Sequence, residues 1–418
     1  MVRCLLTVSF LLSLAVTSFA ATSATDVPMG QSATSADDLF ETQRGYFHPE
    51  LSLSEIYTDN LFNESSATDE EFITTITPAL WLSFPGQLQP ADPIVTDTTA
   101  AGGLLLSRFG EKDDRPFNAF LRYEAGIKRH KNFSSEDITT HKAQGLIRNT
   151  WTSGLLFEVR DVYNKSHDAY DPSISVGQRK FTSNLLGLKT SIPVGERVKL
   201  VFAYNNFQLD YDTADRDRAD NSYSGSAYYA LSQKTKPFVQ VRYLDVQYDT
   251  NTTRDNTQTE YYLGADYEIS DKVQVLAKFG MNTKDPESGN SSEDEFVYEI
   301  QGDYQFTPKN NLNLQTWRKV KETDLDGANG ILNSAVNATF SQMFGQRMVA
   351  SALAGWSQDD YQDSPRTDDY LTLSLSLGYS LQKWFEISGG YNFVRRDSNE
   401  ATADYDSNGV FINLTGKL

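Results

Sequence analysis

The chain has 418 residues, with 56 Asp and Glu against 37 Lys and Arg, a formal net charge of −19 and a single cysteine. A surplus of acid on this scale excludes a surface built to hold nucleic acid, and one thiol excludes a disulfide framework. Beyond the N-terminal segment no run approaches the roughly eighteen apolar residues of a membrane-spanning helix, so any route across a bilayer would have to be made of strands.

In chain order, Met1-Val2-Arg3 leads into an apolar run from Cys4 to Val16, and Thr17-Ser18-Phe19-Ala20 then offers small residues. That layout predicts a secretory signal peptide over residues 1–20, cleaved near Ala20 and taking Cys4 with it. Residues 21–44 are rich in Ser, Thr, Ala and Asp and lack periodicity, which predicts a flexible periplasmic arm.

Over residues 45–418 the pattern becomes an alternation with a period of two. Asn118 to Arg129 sets Ala119, Leu121, Tyr123 and Ile127 against Arg122, Glu124 and Lys128, and Val198 to Tyr204 sets apolar residues against Lys199. Val273 to Met281 does the same against Lys278, and Phe385 to Phe393 against Glu386. The most regular stretch is Asp369 to Gln382, where Leu371, Leu373, Leu375, Leu377, Tyr379 and Leu381 alternate with Thr372, Ser374, Ser376, Gly378 and Ser380. A helix would scatter these leucines around its axis, so the period of two predicts a strand. The pattern also holds for about eleven residues, the length a tilted strand needs to cross a bilayer.

Short connections such as Pro193 to Glu196, Ser270 to Lys272, Thr307 to Asn310, Gly345-Gln346 and Gln382-Lys383 alternate with longer acidic ones such as Thr213 to Asp220, Thr323 to Gly330 and Asp359 to Asp369. Short periplasmic turns alternating with longer extracellular loops predict an all-β fold, a transmembrane antiparallel up-and-down β-barrel in the outer membrane of a Gram-negative bacterium. Counting back from the C-terminus gives about nineteen strand candidates, one too many for a single-chain barrel, whose number is even. The odd one is 98–109, which follows Pro85, Pro90 and Pro93. Eighteen strands are therefore expected, with sixteen as the fallback.

Pro49 to Phe62 carries Tyr57, Asp59 and Asn60, and Phe72 to Leu82 carries Ile76, Pro78, Leu80 and Leu82. This hairpin resembles the opening of a family of outer-membrane β-barrel porins associated with exopolysaccharide and capsule gene clusters. The resemblance implies a barrel of about eighteen strands that carries a polysaccharide outward and works with a periplasmic export protein.

No catalytic, metal or cofactor site is expected. His48, His130, His141 and His167 lack metal-ligand spacing, and Ser166-His167 has no further support as a nucleophile and base. The acidic loops read as solvated surface, with Ca²⁺ or bridging to lipopolysaccharide as the other reading. Candidate function falls on the polar strand faces, where Arg122, Glu124, Lys128, Glu158, Arg160, Lys199, Arg242, Lys278 and Glu386 would line the lumen. Leu371, Leu373, Leu375, Leu377 and Leu381 would face outer-membrane lipid, after insertion by the barrel assembly machinery. Mixed charge in the lumen fits a neutral or weakly charged polymer more than a selective ion pore. The main expectation is thus export of exopolysaccharide or capsule polymer. Two others stand beside it: passive diffusion of small solutes, with Pro85 to Thr98 as a constricting loop, and a structural or adhesive barrel with a filled lumen.

Overall fold

The computed structural model describes residues 45–66, 68–87, 95–96, 104–105, 116–174, 177–212, 216–287 and 292–417. The expected signal peptide, its cleavage site near Ala20 and the periplasmic arm lie outside the described residues, as does most of Pro85 to Thr98.

Eighteen long antiparallel strands form one closed sheet. The first third of the barrel is β1 (Gly45–Thr58), β2 (Glu71–Gln87), β5 (Phe117–His130), β6 (Ile138–Thr150), β7 (Leu156–His167) and β8 (Lys180–Val194). Next come β9 (Val198–Tyr211), β10 (Arg218–Tyr229), β11 (Thr235–Tyr248), β12 (Asn256–Ser270), β13 (Val273–Pro286) and β14 (Glu293–Thr307). The remainder is β15 (Asn310–Lys321), β16 (Gly330–Phe344), β17 (Met348–Gln362), β18 (Thr367–Gln382), β19 (Phe385–Ser398) and β20 (Tyr405–Lys417).

Closure is made by β1, which pairs with β2 on one edge and β20 on the other. Ser54 lies opposite Thr75 on β2 and opposite Asn413 on β20. A barrel closed in this way leaves no row of unpaired N–H and C=O groups facing hydrocarbon. Of the nineteen strand candidates, 98–109 is the one that does not join the wall. Only Leu104–Leu105 (β4) is a described strand there, and it pairs with Val95–Thr96 (β3) in a separate two-stranded ribbon.

Both described chain ends fall at one rim of the barrel. That rim also carries the tight turns at 195–197, 271–272, 308–309, 345–347 and 383–384. Gly195 and Gly345 adopt φ of 65°, a left-handed conformation open to glycine without a Cβ penalty. The longer loops, including 168–179 and 322–329, gather at the other rim.

Alternation sorts each strand into two faces. On β18, Leu371, Leu373, Leu375, Leu377 and Leu381 are 38–56% exposed, while Thr372 and Ser380 between them are buried. Exposed aromatics form two outer rows on the same strand faces, for example Tyr223 and Tyr229 on β10 or Tyr261 and Tyr267 on β12. Such rows belong at the two membrane–water interfaces.

These faces make unequal predictions for one substitution at neighbouring positions. Leu375→Lys, in the middle of the leucine face, should cost the refolded barrel about 2–4 kcal/mol, the penalty for a cation facing lipid near the midplane. Ser376→Lys, on the other face, should cost less. Urea unfolding in lipid vesicles measures both, and equal costs would overturn the assignment of the leucine face to lipid.

Candidate functional site

The interior of the barrel divides into a strapped mouth at the long-loop rim and a polar wall beneath it. Between β7 and β8, the described loop residues 168–174 and 177–179 reach across the mouth. The Asp171 carboxylate accepts hydrogen bonds from Arg396 Nη1 at 2.6 Å and Nη2 at 3.2 Å, far around the ring on β19. Ser173 Oγ accepts from Arg366 Nη1 at 2.9 Å. The near side is anchored by Tyr170. Its hydroxyl donates to Glu136 at 3.0 Å, its carbonyl accepts from Asn63 Nδ2 at 2.8 Å, and its ring packs edge-on against Phe62 at 5.1 Å.

A second loop, 322–329, enters between β15 and β16, on the facing side of the ring from β7 and β8. Asp324 accepts from Arg179 Nη1 at 3.0 Å, where the two loops meet, and from the Tyr211 hydroxyl at 3.1 Å. Arg216 pairs with Asp326, and Arg254 donates to the Thr323 and Leu325 carbonyls. At the root of the loop, Glu322 is fully enclosed. It accepts from Lys284 Nζ at 2.9 Å, the Tyr248 hydroxyl at 2.9 Å and Gln258 Nε2 at 3.1 Å. Charges this deeply buried persist only when paired and hydrogen-bonded, and each of these carboxylates has several donors.

Beneath the mouth, the candidate lumen residues are distributed over many strands. Arg122 and Glu124 pair with each other at 2.9 Å. Glu158 is held between Arg148, at 2.5 Å, and Arg160. Arg242 pairs with Glu260 at 2.6 Å and Lys278 with Glu299 at 2.9 Å. Lys128 Nζ lies 3.3 Å from His167 Nε2, Lys199 sits over the Tyr228 ring, and Glu386 lies in register between Ser380 and Thr415. The structure thus brings Arg122 to Glu124 and Glu158 to Arg160; Arg242 and Lys278 meet acids that the sequence reading did not single out. Arg148, Glu260 and Glu299 were legible only as polar residues on alternating strands. Their roles emerge from cross-strand register, as in the direct pairing of Arg148 with Glu158.

The loop across the mouth was not among the acidic loops singled out in the sequence. Its signals were Tyr170 and Pro172 inside a connection and inward arginines on distant strands, which no local pattern links. Among the described residues no group of three His, Cys, Asp or Glu could hold a metal ion. His48 stacks near Trp81, His130 lies beside Asp137, and His141 is hydrogen-bonded to the Tyr123 hydroxyl.

Residues 197–418 match the family model described as "Putative beta-barrel porin 2". The match lies in the second part of the chain, whereas the opening hairpin that resembles the polysaccharide-associated porins lies outside it. A search of curated proteins gives no match. Among solved structures, OccAB4 of Acinetobacter baumannii is 12% identical with a TM-score of 0.47, covering 90% of this chain and 99% of that one. OpdL of Pseudomonas aeruginosa is 11% identical at a TM-score of 0.44, covering 89% and 99%. The FrpB iron transporter of Neisseria meningitidis is 9% identical at 0.47, covering 92% and 83%. Likenesses of this depth leave function to the chain's own residues.

The acid groups of the mouth loops predict how the strap responds to pH. Burial disfavours ionised Asp171, but the Arg396 guanidinium and its hydrogen bonds outweigh burial and hold the carboxyl below the ordinary range. Glu322 is likewise disfavoured by burial and held low by Lys284 and Arg218. Carboxylates with depressed values contribute stability that is present above their unfolded value and lost as pH falls through the folded one. The strap should therefore remain docked at about pH 4, where ordinary carboxylates titrate, and release only under stronger acid. Hydrogen exchange across 168–179 follows this directly. Asp171→Asn should release the segment at neutral pH, and loss of protection in the unmodified protein already at about pH 5 would contradict the assignment.

Proposed function

The chain belongs to the β-barrel porin family matched by its residues 197–418, and from that premise we propose that it is a passive channel for small solutes across the outer membrane. The observation that carries this reading is the strap. Barrels of sixteen to eighteen strands leave an aqueous channel wide enough for solutes, and here loops 168–179 and 322–329 narrow its outer entrance from facing sides.

A polymer leaving through this mouth would have to displace buried ion pairs, including Asp171–Arg396 and Glu322–Lys284. Breaking such pairs strands charge in a dry setting and is costly. A small solute makes a lesser demand on the mouth than a continuous chain does, because it need not hold both loops apart at once. Export of exopolysaccharide or capsule polymer, the main expectation from the opening hairpin, therefore yields to diffusion. The path below the mouth is lined in this proposal by Arg122, Glu124, Lys128, Glu158, Arg160, Lys199, Arg242, Lys278 and Glu386. Leu371, Leu373, Leu375, Leu377 and Leu381 stand outside it against lipid.

Planar-bilayer recording and liposome swelling test the proposal together. A steady conductance is expected, with swelling in monosaccharides and little in long oligosaccharides. Arg396→Ala, which unpins Asp171, should raise the conductance and shift the size limit upward. A barrel that folds but passes neither ions nor sugars would instead support a filled structural barrel.

A further inference from the structure

The charges inside the barrel are sorted by wall. Residues paired directly across neighbouring strands share a face, and one such row runs Arg148 on β6, Glu158 on β7, Lys189 on β8 and Ala203 on β9. Alternation from this row puts Lys142 and Arg148, Glu158 and Arg160, Lys189, and Lys199 on the inward faces of those four strands. On these four strands five cations thus stand with one carboxylate, Glu158, and the adjoining β5 adds Glu124 opposite Lys142 together with Arg122 and Lys128, in a chain whose formal net charge is −19. Glu158 is gripped by Arg148 and Arg160 at once, so the cluster keeps a positive surplus however its hydrogen bonds are shared.

The facing wall has the opposite chemistry. Rows there run Asn337, Gly355, Thr372 and Thr339, Leu353, Ser374 and Ser341, Ser351, Ser376 across β16, β17 and β18. None of these side chains is charged, and hydroxyl and amide groups supply no fixed counter-charge. Arg242 and Lys278 on other strands are each paired with a carboxylate, so a solute in the lumen would meet a surplus of fixed positive charge from the β6–β9 side, in a space where low-dielectric walls strengthen its field. Rings or clusters of Arg and Lys are the usual device by which a pore favours anions. The planar forks of Arg148 and Arg160 already hold one carboxylate, Glu158, which is the oxyanion chemistry this wall accommodates.

We infer that the β6–β9 wall, centred on Arg148, Arg160 and Lys189, is an anion-binding station, and that the channel favours small solutes bearing a carboxylate or phosphate. This rests on the channel reading above and names its substrate class. The expected mixed-sign lumen holds residue by residue, but the register gathers the excess of one sign onto one side.

Reversal potentials in a KCl gradient test it, with succinate and inorganic phosphate added as probes. Permeability to chloride should exceed that to potassium several-fold, and either probe should reduce chloride current. Reduction by succinate alone would assign the station to carboxylates, and by phosphate alone to phosphates. Arg160→Gln and Lys189→Gln should each bring the permeability ratio toward one and weaken block, whereas Leu375→Val on the outer face should change neither. Arg148 and Glu158 are left intact because their buried pair could be needed for folding. A conducting channel that prefers potassium, or whose selectivity ignores both variants, overturns the station while leaving the channel reading standing. Absence of any conductance overturns both.

Discussion

A hydrocarbon layer offers no partner to a peptide group, and this constraint governs the rest of the molecule. Every backbone N–H and C=O at membrane depth must be paired within the sheet, so the first strand has to find the last. The pairing of β1 with β20 meets that demand over Glu50 to Thr58 and Gly409 to Lys417. Once the ring is closed, a one-residue slip of β18 against its neighbours would exchange its leucines with its serines. Closure and alternation together therefore fix register, and register decides which charges become neighbours.

Much of this architecture can be read locally. The strands at 293–307, 330–344 and 367–382 have the bounds that their alternation and flanking turns suggest, because a strand with one wet and one oily face writes its period into the sequence. The stretch 98–109 was the odd candidate by parity, and its described residues Leu104–Leu105 pair with Val95–Thr96 in a separate ribbon. The inner chemistry was less legible. Parity marks Arg122, Glu158 or Lys278 as belonging to the polar face, yet the partner of each depends on how far neighbouring strands are offset. Arg148 opposite Glu158 and Arg242 beside Glu260 are facts of register. The mouth was the least legible, since Asp171 and Arg396 meet only after the whole ring has turned between them.

The two interior zones hold charge by different means. In the mouth, Asp171, Glu322 and Asp324 are each surrounded by donors from several elements, so carboxylate and cation are matched and the loops are immobilised. On the β6–β9 wall one carboxylate organises cations that outnumber it. Balanced charge makes a fixture, and in the proposal above an excess of one sign leaves a field that a solute can enter.

The strap also carries a statement about time. Asp171 and Arg396 are separated by 225 residues, and the arginine sits on the penultimate strand. A contact of such high order forms only after the long segment between its ends has been organised. The strap can reach its far anchor only once β7, β8 and β19 stand in one wall. Until those strands stand together the mouth has nothing to latch to, so its narrowing depends on the wall and not the wall on its narrowing.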